Sequence, residues 1–124
     1  MRILIAEDDE FARMILQSIL ETAGYDVVVA SDGWQALQEY RKRHFPVVIS
    51  DWFMPIMDGV ALCREIRKIQ GTDNPMIVMI TATTGGNKRQ EAIDAGVDDF
   101  IPKPVDVTVF QAWCKRVLET RLTA

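Results

Sequence analysis

The amino-acid sequence predicts a doubly wound α/β sandwich, a mainly parallel five-stranded sheet with five helices covering its two faces. Three observations carry this. Short β-branched runs alternate with segments of helical period along the whole chain, five of each. The runs are apolar without polar alternation, as strands buried on both faces must be. Four of them close on a polar residue, where a doubly wound sheet places its site, beyond the carboxyl ends of the strands.

The elements follow in order. Residues 2–6 read as the first strand. Phe11, Ile15, Ile19 and Leu20 then recur at helical spacing until Gly24, a stop signal. Val27-Val28-Val29 form the second strand, and Ser31 or Asp32 can cap a helix carrying Ala36, Leu37 and Tyr40, which yields before Pro46. Residues 47–50 are the third strand. After the Pro55 and Gly59 punctuation, Val60, Leu62, Cys63, Ile66 and Ile69 mark a helix to about Gly71. Residues 76–80 are the fourth strand, Gly85-Gly86 opens a loop, and Lys88 to Ala95 form a helix with a thin apolar face. Val97 to Ile101 hold the fifth strand, and Asp106 starts a last helix with Phe110, Trp113, Val117 and Leu118 on one side. Right-handed crossovers distribute these helices over both faces.

With 124 residues, 48% of them hydrophobic, the chain fits one domain, 1–124, with a core of its own. A formal net charge of −4 argues against non-specific nucleic-acid binding through this domain. No apolar run approaches the roughly 20 residues of a membrane span, and no signal-peptide pattern precedes the first strand, so a cytoplasmic location is expected. Cys63 and Cys114 both lie in helical patterns. Two buried free thiols are the expectation, with a disulfide or metal pair as the alternative.

The strand ends carry the chemistry. Glu7-Asp8-Asp9 follow Ile3-Leu4-Ile5, Asp51 closes Val47-Val48-Ile49, Thr81 follows Ile77 to Ile80, and Lys103 follows Phe100-Ile101. Asp51 is the candidate nucleophile, since a carboxylate can attack phosphorus and form an acyl phosphate. Phosphoryl transfer depends on positioning and charge neutralisation, which calls for a divalent cation, and Glu7 and Asp8 suit a hard ion such as Mg2+, with Mn2+ as a substitute. Without metal the clustered carboxylates repel one another and pKa values should rise. Lys103 offers a fixed positive charge to a phosphoryl oxygen. The Thr81 hydroxyl and the Ala82 backbone N–H offer hydrogen bonds to others. Asp9 reads as a helix cap rather than a ligand.

Taken together, Ile3-Leu4-Ile5-Ala6-Glu7-Asp8-Asp9, Val48 to Gly59 with its Met-Pro-x-Met-Asp-Gly segment, Met79-Ile80-Thr81-Ala82 and Ile101-Pro102-Lys103-Pro104 resemble the receiver domain of two-component response regulators. The resemblance covers essentially the whole chain. It implies a flavodoxin-like strand order 2-1-3-4-5. It also implies phosphorylation of Asp51 by a histidine kinase or phosphotransfer protein. Asp8, Asp51 and the Phe53 backbone carbonyl would be direct metal ligands, with Glu7 acting partly through water, and the Lys103–Pro104 peptide would be cis. A switch follows, in which Thr81 moves toward the phosphoryl group and Phe100 occupies the vacated space. The output surface would be the fourth helix, fifth strand and fifth helix, acting on a downstream protein or output domain or through a phosphorylation-dependent dimer. The switch itself would catalyse only its own phosphorylation and dephosphorylation.

Phe53 departs from the family, which often has a polar residue two positions after the phosphorylated Asp. A bulky ring there, with the small Thr83 at the other position governing lifetime, predicts slow self-dephosphorylation. An aspartate-nucleophile phosphatase of the haloacid dehalogenase type is the enzymatic alternative, and it needs a second acid where Phe53 stands. A binding module with a vestigial acid site is the third reading. Thr83-Thr84-Gly85-Gly86-Asn87 lacks the P-loop pattern, and His44 reads as a surface residue. Trp52 and Phe53 are both expected to place aromatic bulk beside Asp51.

Overall fold

The computed structural model describes residues 1–69, 74–82 and 86–119. The elements run β1 (Arg2–Ala6), α1 (Glu10–Thr22), β2 (Asp26–Ala30), α2 (Gly33–Lys42), β3 (Val47–Asp51), α3 (Gly59–Lys68), β4 (Met76–Thr81), α4 (Gly86–Ala95), β5 (Asp99–Pro102) and α5 (Val107–Trp113), which runs on into a π-helical turn, Cys114–Leu118. The sheet is wholly parallel in the order β2-β1-β3-β4-β5. The expected fold class and strand order are both found.

Pleating divides each strand between two cores. Leu4, Ala6, Val48, Ile77 and Met79 point to the face covered by Leu37, Tyr40, Leu62, Ile66 and Ala92 of α2, α3 and α4. Ile3, Ile5, Val47, Ile49, Val78, Ile80 and Ile101 point to the face covered by Leu16, Leu20, Phe110, Trp113 and Leu118. Aspartates cap the helices: Asp9 accepts from the Phe11 and Ala12 N–H groups, Asp32 from Gln35, Asp58 from Ala61 and Asp106 from Val109. Cys63 and Cys114 are buried free thiols, one in each core.

Some boundaries differ from expectation. β5 begins at Asp99 rather than Val97, because the Val97 N–H turns back to the Ala92 carbonyl and the Asp98 N–H reaches the Ile77 carbonyl. α3 ends at Lys68, with Gly71 outside the described residues. α4 starts two residues early, at Gly86; the Gly85 loop position lies outside the described residues. Phe11 does not join the core and is 72% exposed. It sits in the first turn of α1, level with the strand ends, where the sheet has stopped.

Candidate phosphoacceptor site

Register brings the polar strand ends together. Ala6 is paired with Ser50, Asp51 with Ile80, and Thr81 with Pro102, so Glu7, Asp51, Thr81 and Lys103 leave four adjacent strands at one end of the sheet. The Lys103 N–H donates to the Thr81 carbonyl, which extends the β4–β5 ladder to the lysine itself. The Lys103–Pro104 peptide is cis.

Charge is concentrated here. Glu7, Asp8 and Asp51 each offer a carboxylate oxygen, and these atoms lie within 4.8 Å of one another. The Lys103 ammonium is 2.9 Å from Asp51 Oδ2 and 4.0 Å from Glu7 Oε1. When all three acids are ionised, one ammonium leaves two negative charges unbalanced, which matches one divalent cation. Glu7 is 1% exposed, and its Oε2 is buried without a hydrogen-bond partner in the protein. Burial first, and the Asp51 charge second, push the Glu7 carboxyl up to about 7, against the pull of Lys103. The expected upward shift is present, although burial rather than repulsion leads it. Burial draws the Lys103 ammonium pKa down, but its hydrogen bond to Asp51 and the surrounding carboxylates outweigh this and raise it. An orphaned buried oxygen among hard oxygen donors fits a divalent metal site.

Neighbouring residues hold Asp51 from behind. The Ser50 hydroxyl donates to the Asp51 backbone carbonyl at 2.8 Å, and the Gly59 N–H donates to the Trp52 carbonyl at 2.7 Å. A Cβ at Gly59 would run into the Asp51 carbonyl oxygen and the Met79 sulfur, so the start of α3 reaches the end of β3 only as glycine. Arg13 donates to the Glu7 carbonyl at 2.9 Å and fixes the β1–α1 connection. Between β3 and α3, the Met57 N–H donates to the Pro55 carbonyl across Ile56, whose φ is 72°. This three-residue turn is strained for a β-branched residue, a feature common beside functional sites. Sequence reasoning missed Ser50, Arg13 and the strain at Ile56; only Gly59, in Asp-Gly, left a local signal.

Trp52 corrects an expectation. It is 2% exposed and packs into the core under α2, α3 and α4, while Phe53 is 57% exposed and stacks on it with ring centroids 5.7 Å apart. The Trp52 N–H bonds to the Ile80 carbonyl, which carries the β3–β4 pairing one residue past the end of β3, and the Trp52 side chain follows the pleat inward. Of the two rings, only Phe53 is exposed. On another side, Phe11, Ile15, Pro104 and Val105 line a cleft of about 230 Å³ next to Glu7 and Lys103. Phe100 is half-buried on β5, opposite Met79. Asp8 is exposed, Ala82 directly follows β4, and Thr83 lies outside the described residues. His44 is exposed in the α2–β3 connection, at the other end of the sheet.

A family model described as the response regulator receiver domain matches residues 3–114. A probable transcriptional regulator from Porphyridium aerugineum is 37% identical over 94% of this chain and 48% of its own length. Response regulator MprA from Mycobacterium sp. (strain KMS) is 39% identical over 83% of this chain and 44% of its own. The chain thus spans about half the length of these curated relatives. Among solved structures, the chemotaxis protein CheY4 of Vibrio cholerae is similar with a TM-score of 0.87 and 31% identity, over 94% of this chain and 97% of that one. The receiver domain of sensor histidine kinase PA1611 from Pseudomonas aeruginosa, solved with a magnesium ion coordinated in its active-site cleft, is similar with a TM-score of 0.82 and 27% identity, over 93% and 94% of the two chains.

Proposed function

This chain belongs to the response regulator receiver domain family of two-component signalling, and on that footing we propose that residues 1–124 act as one phosphorylation-dependent switch with Asp51 as the phosphoacceptor. The observation that carries the proposal is the Asp51 carboxylate, held 2.9 Å from Lys103 and within 4.8 Å of the Glu7 and Asp8 oxygens. An Asp51 carboxylate oxygen forms a bond to phosphorus while the bond from phosphorus to the donor breaks, and the donor leaves with the electron pair. The donor is a phosphohistidine of a histidine kinase or phosphotransfer protein.

Lys103 pairs with one oxygen of the transferred group, and the Thr81 hydroxyl and Ala82 N–H donate to others. Glu7, Asp8, Asp51 and the Phe53 carbonyl would hold Mg2+, or Mn2+ in its place, which would neutralise charge on the transferring group. The rigid strand ends fix the geometry before the donor arrives, so little reorganisation accompanies transfer. Movement of Thr81 toward the new phosphoryl group lets Phe100 turn inward, which changes the surface of α4, β5 and α5. With a net charge of −4, this domain signals through a protein partner, an output region or a dimer rather than by touching nucleic acid itself. No helix among the described residues is long and apolar enough to cross a membrane, and we place the switch in the cytoplasm. It turns over no substrate beyond its own phosphoryl group.

Incubation with acetyl phosphate and Mg2+, followed by intact mass, tests this. The expected result is an adduct of one phosphoryl group that is absent in Asp51→Ala and absent when Mg2+ is chelated. No adduct on the unaltered chain, or one that survives Asp51→Ala, would sink the proposal.

A further inference from the structure

α4 is weakly held by apolar packing. Its only buried side chains are Ala92 and Ala95, and each adds little more than a methyl group to the core. Two cations supplement this. The Lys88 ammonium lies 5.9 Å from the centroid of the Trp52 ring, and the Arg89 guanidinium lies 4.4 Å from the centroid of the Phe100 ring. A cation over an aromatic face at such distances is held by an attraction comparable to burying a methyl group, and a stronger one when desolvated. That rivals what two alanines provide. Both rings adjoin the site: Trp52 follows Asp51, and Phe100 is on β5, paired with Met79 two residues before Thr81.

We infer that Arg89 is a positioning residue that holds Phe100 in its half-exposed place and so sets the balance between the two states of the switch. The inference rests on the proposed phosphoacceptor role of Asp51 and the inward turn of Phe100. The guanidinium is on an exposed position of the outer helix. It can cover the ring only while the ring lies at the surface beneath it, so the contact exists in one of the two arrangements and not in the other. A contact made in one state alone biases the equilibrium toward that state by its own free energy. By linkage, whatever binds Asp51 and favours the inward ring binds more weakly while Arg89 is present.

Beryllium fluoride with Mg2+, a non-covalent mimic of the phosphoryl group, reads this balance by titration calorimetry. Arg89→Ala is expected to bind the mimic about fivefold more tightly than the unaltered chain. Arg89→Lys, which keeps a cation but loses the flat stacking surface, should fall between them. In a Phe100→Leu background Arg89→Ala should change nothing, because the ring through which it acts is gone. A merely structural role for Arg89 would lower the melting temperature and leave the affinity unchanged or weaker, and that result overturns the inference. So does an equal gain in the Phe100→Leu background. If the unaltered chain itself fails to bind the mimic, or binds it equally well as Asp51→Ala, the acceptor reading fails first.

Discussion

The two ends of the sheet are built on opposite rules. At the amino ends of the strands, Arg67 of α3 donates to the Gly96 carbonyl from Nε and Nη2 at 3.1 and 2.6 Å, and to the Pro75 carbonyl from Nη1 at 2.9 Å. Nη2 also meets Asp98 Oδ2 at 2.9 Å, and the same oxygen accepts from the Ile77 N–H at 2.8 Å. One guanidinium thus ties α3 to the starts of β4 and β5, with charge and hydrogen-bonding groups matched. At the carboxyl ends, three carboxylates face one ammonium and Glu7 Oε2 has no protein partner. A satisfied network stabilises a fold, whereas a crowded, incompletely paired one is costly until a ligand completes it. One end holds the sheet, and the other carries a net negative charge that its single ammonium does not offset.

The largest test removes the holding end. Arg67→Ala should destabilise the protein by about 3 kcal/mol, since it leaves the Gly96 and Pro75 carbonyls and Asp98 without their charged donor. The surface exposure of Asp98 keeps the figure below that of a fully buried pair. Urea unfolding measures it. Acetyl phosphate labelling of the folded fraction should be unaffected, because Arg67 lies at the far end of the strands. A loss of labelling in the folded protein would mean that the two ends are not separable.

A smaller effect is expected at the crowded end, and its sign depends on pH. The Glu7 carboxyl is raised to about 7 from an ordinary value of 4.5. Between these values the folded chain binds more protons than the unfolded one, so stability falls as pH rises through that window. Above it the full cost is present, and below about 4.5 it vanishes. In metal-free protein Glu7→Gln should therefore add about 2 kcal/mol at pH 8 and little at pH 4. Mg2+ should stabilise the unaltered chain more than the variant at pH 8. Melting curves at the two pH values, with and without chelator, decide this. An advantage for Glu7→Gln that persists undiminished at pH 4 would show that packing, not charge, governs that end.

The contrast between the ends also marks how far the sequence could be read. Asp51, Thr81 and Lys103 were legible because each ends or directly follows an apolar run, and Glu7 and Asp8 because they follow the first. Local pattern and the rule for parallel sheets are enough to bring them to one edge. Arg67 was not legible, since its Gly96 partner lies 29 residues away and a basic residue late in a helix looks like any solvated one. The hydrogen bond from Trp113 Nε1 to Asp99 Oδ2, which locks α5 onto β5, was hidden for the same reason. Trp52 and Phe53 show the finer limit. Two adjacent aromatics after a strand give no sign of where the ladder ends, and one further hydrogen bond sends Trp52 inward and Phe53 out.

That division makes Phe53 the smallest and most local test of the comparison. Trp52 is committed to the core, so its exposed neighbour is free to vary without disturbing the fold, and it stands two residues from Asp51, the proposed phosphoacceptor. Hydrolysis of an aspartyl phosphate needs a water aligned behind phosphorus, and an aromatic ring offers that water no hydrogen bond. Phe53→Asn keeps the backbone carbonyl that would face the metal and replaces the ring with an amide able to orient water. Loss of the phosphoryl group from purified phosphorylated protein, followed by intact mass after the donor is removed, should accelerate on the order of tenfold, equivalent to about 1.4 kcal/mol of barrier. Unfolding in urea should be unchanged within about 0.5 kcal/mol, as for an ordinary surface substitution. If decay is unaltered while labelling remains intact, the lifetime is set by groups other than Phe53. If instead stability falls markedly, the Phe53–Trp52 stack belongs to the holding structure, and the boundary between the two ends runs through this pair of rings.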